Sequence, residues 1–340
     1  MTALLKQAFY WSTYHSGLLG LTAALLEPRG LKPGNRRFQI LMYHRVADNG
    51  DAYVGATSVA GFERQMQCIR QHLHPMSLTD LVAAAQRREV PARAVAVTFD
   101  DGYEDVFLHA FPILRRYEIP ATVYLATGLI DNGAPMWNDR IGSAIRSTNS
   151  IEFQPLPDLG RFPLGTPQQR QLALLRTLEA LKRREPIERD ALTSEIVRVL
   201  KVSAETGPRM LRWEQVAKMH AAGVELGAHT VHHPILSCVS PELAAAEIGE
   251  SKRVIEERLQ TPVRHFAYPN GTAQDFNDAT QRLVERAGFA SAVSAIFGVN
   301  NADTNRYALR RGGPWEEEPA AFGVKLWWYR WSEASGCGAL

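Results

Sequence analysis

The chain has 340 residues, enough for one large core or one core with an appended subdomain. Hydrophobic residues make up 45% and charged residues 22%, the balance of an ordinary globular protein, and a net charge of +2 gives no reason to expect nucleic acid as a partner. Three scattered cysteines, Cys68, Cys238 and Cys337, contain no CxxC pair and argue against a disulfide framework or a thiolate zinc site; they mildly favour a reducing compartment. The first predicted element is an N-terminal helix followed by a Lys32-Pro33-Gly34 linker, together residues 1–36. Its apolar run from Gly17 to Leu26 is too short to span a bilayer. It lacks a small-x-small cleavage pattern and has only Lys6 as an early basic residue. An interfacial or docking helix is expected there rather than a secretory signal.

A strand is predicted at 39–42, then a polar loop through Asp48-Asn49-Gly50-Asp51, a helix carrying Phe62, Met66 and Ile69, and a second helix at 78–87. Ala94-Val95-Ala96-Val97 reads as a buried strand, 106–117 as one helix and 121–126 as another strand. Between about 130 and 210 comes a segment with Pro155, Pro157, Pro163 and Pro167 that turns helical and charged at 168–182 and 188–200. It reads as an inserted, mostly helical flap over the sheet edge, with Trp137-Asn138-Asp139 near the cleft. The alternation then resumes: helix 213–222, strand 224–228, helix 241–259, strand 265–268, helix 278–286. Strands alternating with helices in this way argue for a parallel α/β sheet. The run Leu326-Trp327-Trp328-Tyr329-Arg330-Trp331 gives the end of the chain an aromatic tail, suited to sugar rings, to a membrane interface or to packing on the core.

Two stretches carry the chemistry. Thr98-Phe99-Asp100-Asp101-Gly102-Tyr103 places two carboxylates at the carboxyl end of a buried strand, where α/β folds bind ligands. Adjacent carboxylates repel, so one pKa rises unless a cation neutralises the pair. His229-Thr230-Val231-His232-His233-Pro234 follows another short strand. His229 and His233 are four apart, and one helical turn would set both imidazoles on one side. With one carboxylate they make a three-ligand site with open positions. No Glu follows His229, so this is not the zinc-protease helix motif.

Both stretches resemble the first two motifs of the polysaccharide deacetylase (NodB-homology, carbohydrate esterase family 4) superfamily. Phe266-Ala267-Tyr268-Pro269-Asn270-Gly271 is similar to its third motif. Leu41-Met42-Tyr43-His44-Arg45-Val46 is similar to the early Tyr-His motif of its exopolysaccharide deacetylase branch, and Ile119-Pro120-Ala121-Thr122-Val123-Tyr124-Leu125 to its second core strand. The likeness runs from about residue 38 to about residue 312. It implies an α/β fold, a distorted and incomplete (β/α) barrel of the NodB-homology type with an inserted helical segment. The catalytic domain would span 37–315, with the insertion at about 130–210 and the aromatic tail at 316–340.

The resemblance also implies roles. Asp100 is the general base, and Asp101, His229 and His233 hold a divalent metal, zinc first, with iron, cobalt or nickel as alternatives. Asn270 offers a backbone N–H to the oxyanion. Two departures from the family pattern matter. An arginine that often opens the third motif and holds the catalytic Asp is replaced by Ala267, leaving Arg311 as its candidate substitute. The late Leu-x-His motif that supplies the acid is absent, because His265 is the last histidine, and His44 is the candidate acid. The expected activity is metal-dependent removal of N-acetyl groups from sugars of an envelope or exopolysaccharide glycan, or of its lipid-linked precursor. The expected place is cytoplasmic or peripheral on the inner face of the membrane, with export as the alternative. The rival readings are hydrolysis of another C–N bond, as in a deformylase or small-molecule amidohydrolase, and a non-catalytic glycan-binding protein.

Overall fold

The computed structural model describes residues 36–48, 55–202, 207–313 and 316–332. The expected N-terminal helix and its Lys32-Pro33-Gly34 linker lie outside the described residues. Seven parallel strands form the main sheet: β1 (Gln39–Tyr43), β2 (His74–Pro75), β3 (Ala94–Phe99), β4 (Ala121–Leu125), β5 (Glu225–Ala228), β6 (His265–Ala267) and β7 (Ser291–Val293). Their order is β1-β3-β4-β5-β6-β7, with β2 joined to the start of β3. Every residue of β3 is buried, as a parallel strand covered on both faces requires.

Side chains alternate with the period of two that strands impose. Leu41, Val95, Val97, Phe99, Val123 and Leu125 join a large cluster with Phe62, Met66 and Ile69. Those three belong to helix α1 (Val59–His72), capped by Ser58, whose hydroxyl accepts from Gly61 N. Ile40, Ala96, Tyr124, Ala267, Val293 and Leu309 form a second cluster on the opposite, concave face. Tyr124 fills that interior only because β5 presents Gly227 beside it; a Cβ there would lie 2.3 Å from the ring. The gap between β7 and β1 is bridged by irregular chain. Leu309 pairs with Val293, Gly312 N donates to Ile40 O at 3.1 Å, and Phe38 and Asn300 exchange backbone hydrogen bonds of 2.9 Å. The result is the distorted, incomplete barrel that the motifs imply, and the segment closing it carries Arg311.

At the amino end of the barrel a polar network takes the place of a site. The Glu225 carboxylate accepts from Leu78 N and Thr79 N, which open helix α2 (Leu78–Gln86), and from Thr122 Oγ1. His265 bridges Thr79 Oγ1 and Ser291 Oγ, each at 2.9 Å. Its imidazole is therefore committed far from the carboxyl edge.

The stretch expected as one helix at 106–117 is a π-helical turn, Val106–Ala110, followed by helix α3 (Phe111–Arg116). Pro112 has no N–H to continue an α ladder into the preceding turn. Helices α4 (Trp137–Ser147), α5 (Pro167–Leu181) and α6 (Pro186–Val199) lie between β4 and β5, in the segment expected as an insertion, with a small antiparallel hairpin, Glu152–Phe153 against Phe162–Pro163. They bury a core of their own, including Ile141, Ile145, Phe153, Leu174 and Ile196. Helices α7 (Trp213–Ala221), α8 (Pro241–Leu259) and α9 (Asp278–Arg286) complete the outer layer. Within the expected aromatic tail, Pro319–Ser332 forms helix α10. Phe322 and Leu326 enter the main core, Gln39 Nε2 donates to Leu326 O at 3.0 Å, and Arg330 donates to Ala94 O at 2.7 Å. Among the described residues no helix is long and apolar enough to cross a membrane.

Candidate active site

Asp100 and Asp101 follow β3 directly, and both are buried. Two successive left-handed residues, Asp101 (φ 73) and Gly102 (φ 88), turn the chain back so that neighbouring carboxylates face different partners. Arg311 grips Asp100 with both arms of its fork, Nη1 to Oδ1 at 2.7 Å and Nη2 to Oδ2 at 2.5 Å. The guanidinium is itself buried, and its Nε donates to Ser294 O at 2.9 Å. Burial alone pushes the Asp100 carboxyl up, but the Arg311 guanidinium outweighs it and holds the group below the usual carboxylate range. Asp101 is likewise driven up by burial and brought further down by His229, His233 and His44. Arg311 thus gives Asp100 a cationic partner of its own, while Asp101 is turned toward the histidines.

His229 and His233 do come together, but not on a helical turn. Residues 229–235 are irregular, with Thr230 (φ 66) and His233 (φ 55) left-handed. Pro234 follows the second histidine, and the residue before a proline is pushed away from helical geometry. His233 N donates to Thr230 Oγ1 at 3.0 Å, and this side-chain turn replaces the helical one. Ring centroids of His229 and His233 are 4.8 Å apart. Their Nε2 atoms lie 3.3 Å and 3.4 Å from the same oxygen, Asp101 Oδ1.

This arrangement fits a metal ion. One ligand atom from each of Asp101, His229 and His233 lies within 4.8 Å of the others. His229 Nδ1 meets Ala267 O at 2.7 Å, which places its proton on Nδ1 and leaves the Nε2 lone pair facing Asp101. A cation held between that lone pair and the carboxylate would satisfy both. Asp101 Oδ1 is buried and has no hydrogen-bond donor, since the imidazole contacts are too long or misdirected to serve as one. In the bare protein the two carboxylates raise the proton affinity of His229 against the effect of burial, whereas burial pushes His233 down to about 3.

The loop is braced from several sides. Val231 N and His232 N both donate to Glu247 Oε2 of α8, at 2.8 and 2.9 Å, and His232 turns its ring away to Glu247 Oε1 at 2.7 Å. Thr127 N and Gly128 N donate to the carbonyls of Thr230 and Val231. Left-handed residues recur around the site at Asp101, Thr230, His233 and Asn270 (φ 56), the kind of backbone strain that clusters where geometry is functional.

A cavity of about 770 Å³ opens above these residues. His44, Asp100, Asp101, His229, His233 and Asn270 all line it, together with Trp137 and Asn138 from the insertion. Arg311 lies behind Asp100 and does not line it. Asp139 is turned away and accepts the Tyr103 hydroxyl proton at 2.7 Å. His44 sits half-buried after β1, close enough to both aspartates to lower their proton affinity. Helix α5 walls the far side with Leu172, Leu175, Arg176 and Glu179. Sequence reasoning missed two contributions: the Ala267 carbonyl, which orients His229, and Arg189, whose guanidinium meets the histidine loop.

The sequence model described as "Polysaccharide deacetylase" matches residues 87–292. This chain belongs to the polysaccharide deacetylase family. Among its relatives, YxkH of Bacillus subtilis is 20% identical over 278 residues, covering 81% of this chain and 70% of that protein. The poly-beta-1,6-N-acetyl-D-glucosamine N-deacetylase of Staphylococcus aureus is 30% identical over 116 residues, spanning 30% of this chain and only 40% of the staphylococcal enzyme. Two solved structures share the fold. The deacetylase PplD of Streptococcus pyogenes, solved in complex with acetate, aligns with a TM-score of 0.58 at 20% identity, covering 87% of this chain and 99% of PplD. IcaB from Ammonifex degensii aligns at 0.57 with 19% identity, covering 87% and 97% of the two chains. The curled parallel sheet of this polysaccharide deacetylase is the NodB type.

Proposed function

We propose that this chain is a metal-dependent N-deacetylase acting on N-acetylated sugars of an exopolysaccharide or envelope glycan, or of its lipid-linked precursor. The observation that carries this reading is the convergence of Asp101, His229 and His233 on one point beside Asp100, at the floor of an open cavity. The staphylococcal relative supports the substrate class, since its name specifies an N-acetylglucosamine polymer. Two imidazoles and a carboxylate suit zinc, and also iron(II), cobalt or nickel. A divalent ion held there supplies Lewis acidity: it polarises an acetamide carbonyl and makes water acidic enough to attack near neutral pH.

The chain's own residues do the rest. Asp100 stays ionised because Arg311 neutralises it, and each carboxylate oxygen keeps a lone pair beyond the one Arg311 occupies. It accepts the proton of the attacking water. Asn270, held left-handed at the cavity rim, offers its N–H to the developing oxyanion. His44 protonates the departing sugar amine, a poor leaving group until it gains a proton.

The test is acetate release from β-1,6-linked N-acetylglucosamine oligomers by purified protein, before and after chelation and after zinc is restored. Acetate release should vanish with the metal and return with it, and His233→Ala should neither bind zinc nor release acetate. Hydrolysis of small formamides or amides with no acetate from any glycan would overturn the reading in favour of a small-molecule amidohydrolase.

A separate expectation isolates His44. His44→Ala should retain zinc and bind substrate normally while kcat on the acetamide falls roughly 100-fold or more. An activated acetate ester, whose leaving group needs no proton, should be spared most of that loss. Equal damage on amide and ester would assign His44 to structure rather than to proton transfer.

A further inference from the structure

Arg189, in the first turn of α6, is one of the largest fully buried side chains in the described structure, although it belongs to the insertion. Its guanidinium donates through Nη2 to the His232 carbonyl at 2.5 Å and through Nη1 to the His233 carbonyl at 2.9 Å. It stacks at 5.0 Å over the ring of Trp137, which comes from the first helix of the same insertion and lines the cavity. The backbone of the histidine loop can be followed group by group. The N–H groups of Val231, His232 and His233 are taken by Glu247 and Thr230, and the carbonyls of Thr230 and Val231 by Thr127 and Gly128. The next two carbonyls, those of His232 and His233, are taken by Arg189. His233 is left-handed, so the direction of its imidazole depends on a peptide geometry that the local chain does not favour.

We infer that Arg189 is a positioning residue: by clamping the His232 and His233 carbonyls it fixes the His233 imidazole toward Asp101, and so makes the inserted helical unit a determinant of metal affinity. This inference rests on the metal reading given under Proposed function. Its physical basis is that removing the fully buried fork leaves two partly buried carbonyls without their donors, which the loop remedies by turning them toward water. That rotation carries the His233 ring away from its partners. Side chains that orient metal ligands in this way commonly change affinity by 10- to 100-fold when lost. Lysine cannot reproduce the clamp, because one ammonium reaches two divergent carbonyls less well than a planar fork.

The test is zinc affinity, read by competition with a chromophoric chelator, for wild type, Arg189→Met, Arg189→Lys, His233→Ala and Leu174→Ala. The cobalt-substituted visible spectrum is recorded for each protein that binds. Arg189→Met should weaken zinc by roughly 10- to 100-fold and change the cobalt spectrum, with Arg189→Lys in between. Leu174→Ala, in the insertion's own core, should lower stability with zinc affinity unchanged. A folded Arg189→Met protein that binds zinc within twofold of wild type, with an unchanged cobalt spectrum, would overturn the inference. If Arg189→Met does not fold, Arg189→Lys decides by the same criterion. Failure of wild type to bind zinc, or undiminished binding by His233→Ala, would sink the metal reading itself and this inference with it.

Discussion

Asparagine in place of Asp101 is expected to abolish zinc uptake and acetate release together, whereas asparagine in place of Asp100 should keep zinc and lose about two to four orders of magnitude in kcat. The two carboxylates are adjacent in sequence but have different partners. Asp101 Oδ1 faces Nε2 of both His229 and His233 and has no donor of its own, so in the proposed ligand set it would be the anionic member. A neutral amide there would give up the negative charge that helps hold a divalent cation. Asp100 is turned toward Arg311 and reaches the cavity with its remaining lone pairs. An amide at that position keeps the shape and loses the basicity. It also leaves Arg311 as a buried cation without a counter-ion, so Asp100→Asn should be less stable, and zinc must be counted per folded molecule. Elemental analysis of the folded fraction together with single-turnover acetate release separates the two variants. Equal loss of zinc in both would mean that the pair shares the ion and that the assigned division of labour is wrong.

The strands were legible because a parallel sheet buries both faces, and uninterrupted apolar runs such as Ala94-Val95-Ala96-Val97 have few other uses. The positions of Asp100, Asp101, His44 and His229 followed from that, since each stands at the carboxyl end of a strand. The path from His229 to His233 did not follow. A spacing of four suggests one helical turn, yet the loop reaches the same proximity through left-handed Thr230 and His233, held by Glu247 and Arg189. Those braces act on backbone carbonyls and N–H groups, which carry no residue-type signal. Arg311 was readable only as one of two neighbouring arginines. The structure separates them: Arg310 is exposed, and Arg311 points inward from the segment that bridges β7 and β1. The second and third helices of the insertion were legible as charged helical stretches at 168–182 and 188–200, whereas its first, Trp137–Ser147, was not. That the insertion walls the cavity and grips the histidine loop depends on long-range packing that no local pattern encodes.

Methionine in place of Arg311 is expected to cost about 3–5 kcal/mol of folding stability, because it strands a buried carboxylate. The same change should lower kcat sharply while zinc affinity stays near wild type, since no metal ligand touches Arg311. The guanidinium meets Asp100, Thr98 Oγ1 and Ser294 O at once, and its backbone N–H bonds Ile296 O at 3.0 Å. One residue therefore ties the barrel's closing segment to the strand that ends in Asp100 and Asp101. Urea denaturation of the zinc-loaded protein measures the first effect, and acetate release at saturating substrate the second. Arg311→Lys separates charge from geometry. A lysine can neutralise Asp100 but cannot present two parallel N–H donors to its two oxygens. Most of the stability should return with lysine, and the rate only partly, because Asp100 would be neutralised without being oriented toward the water it deprotonates. A lysine variant with the wild-type kcat would mean that charge alone, and not the fork, prepares Asp100. A methionine variant as stable as wild type would mean that the buried pair contributes nothing to holding the barrel closed.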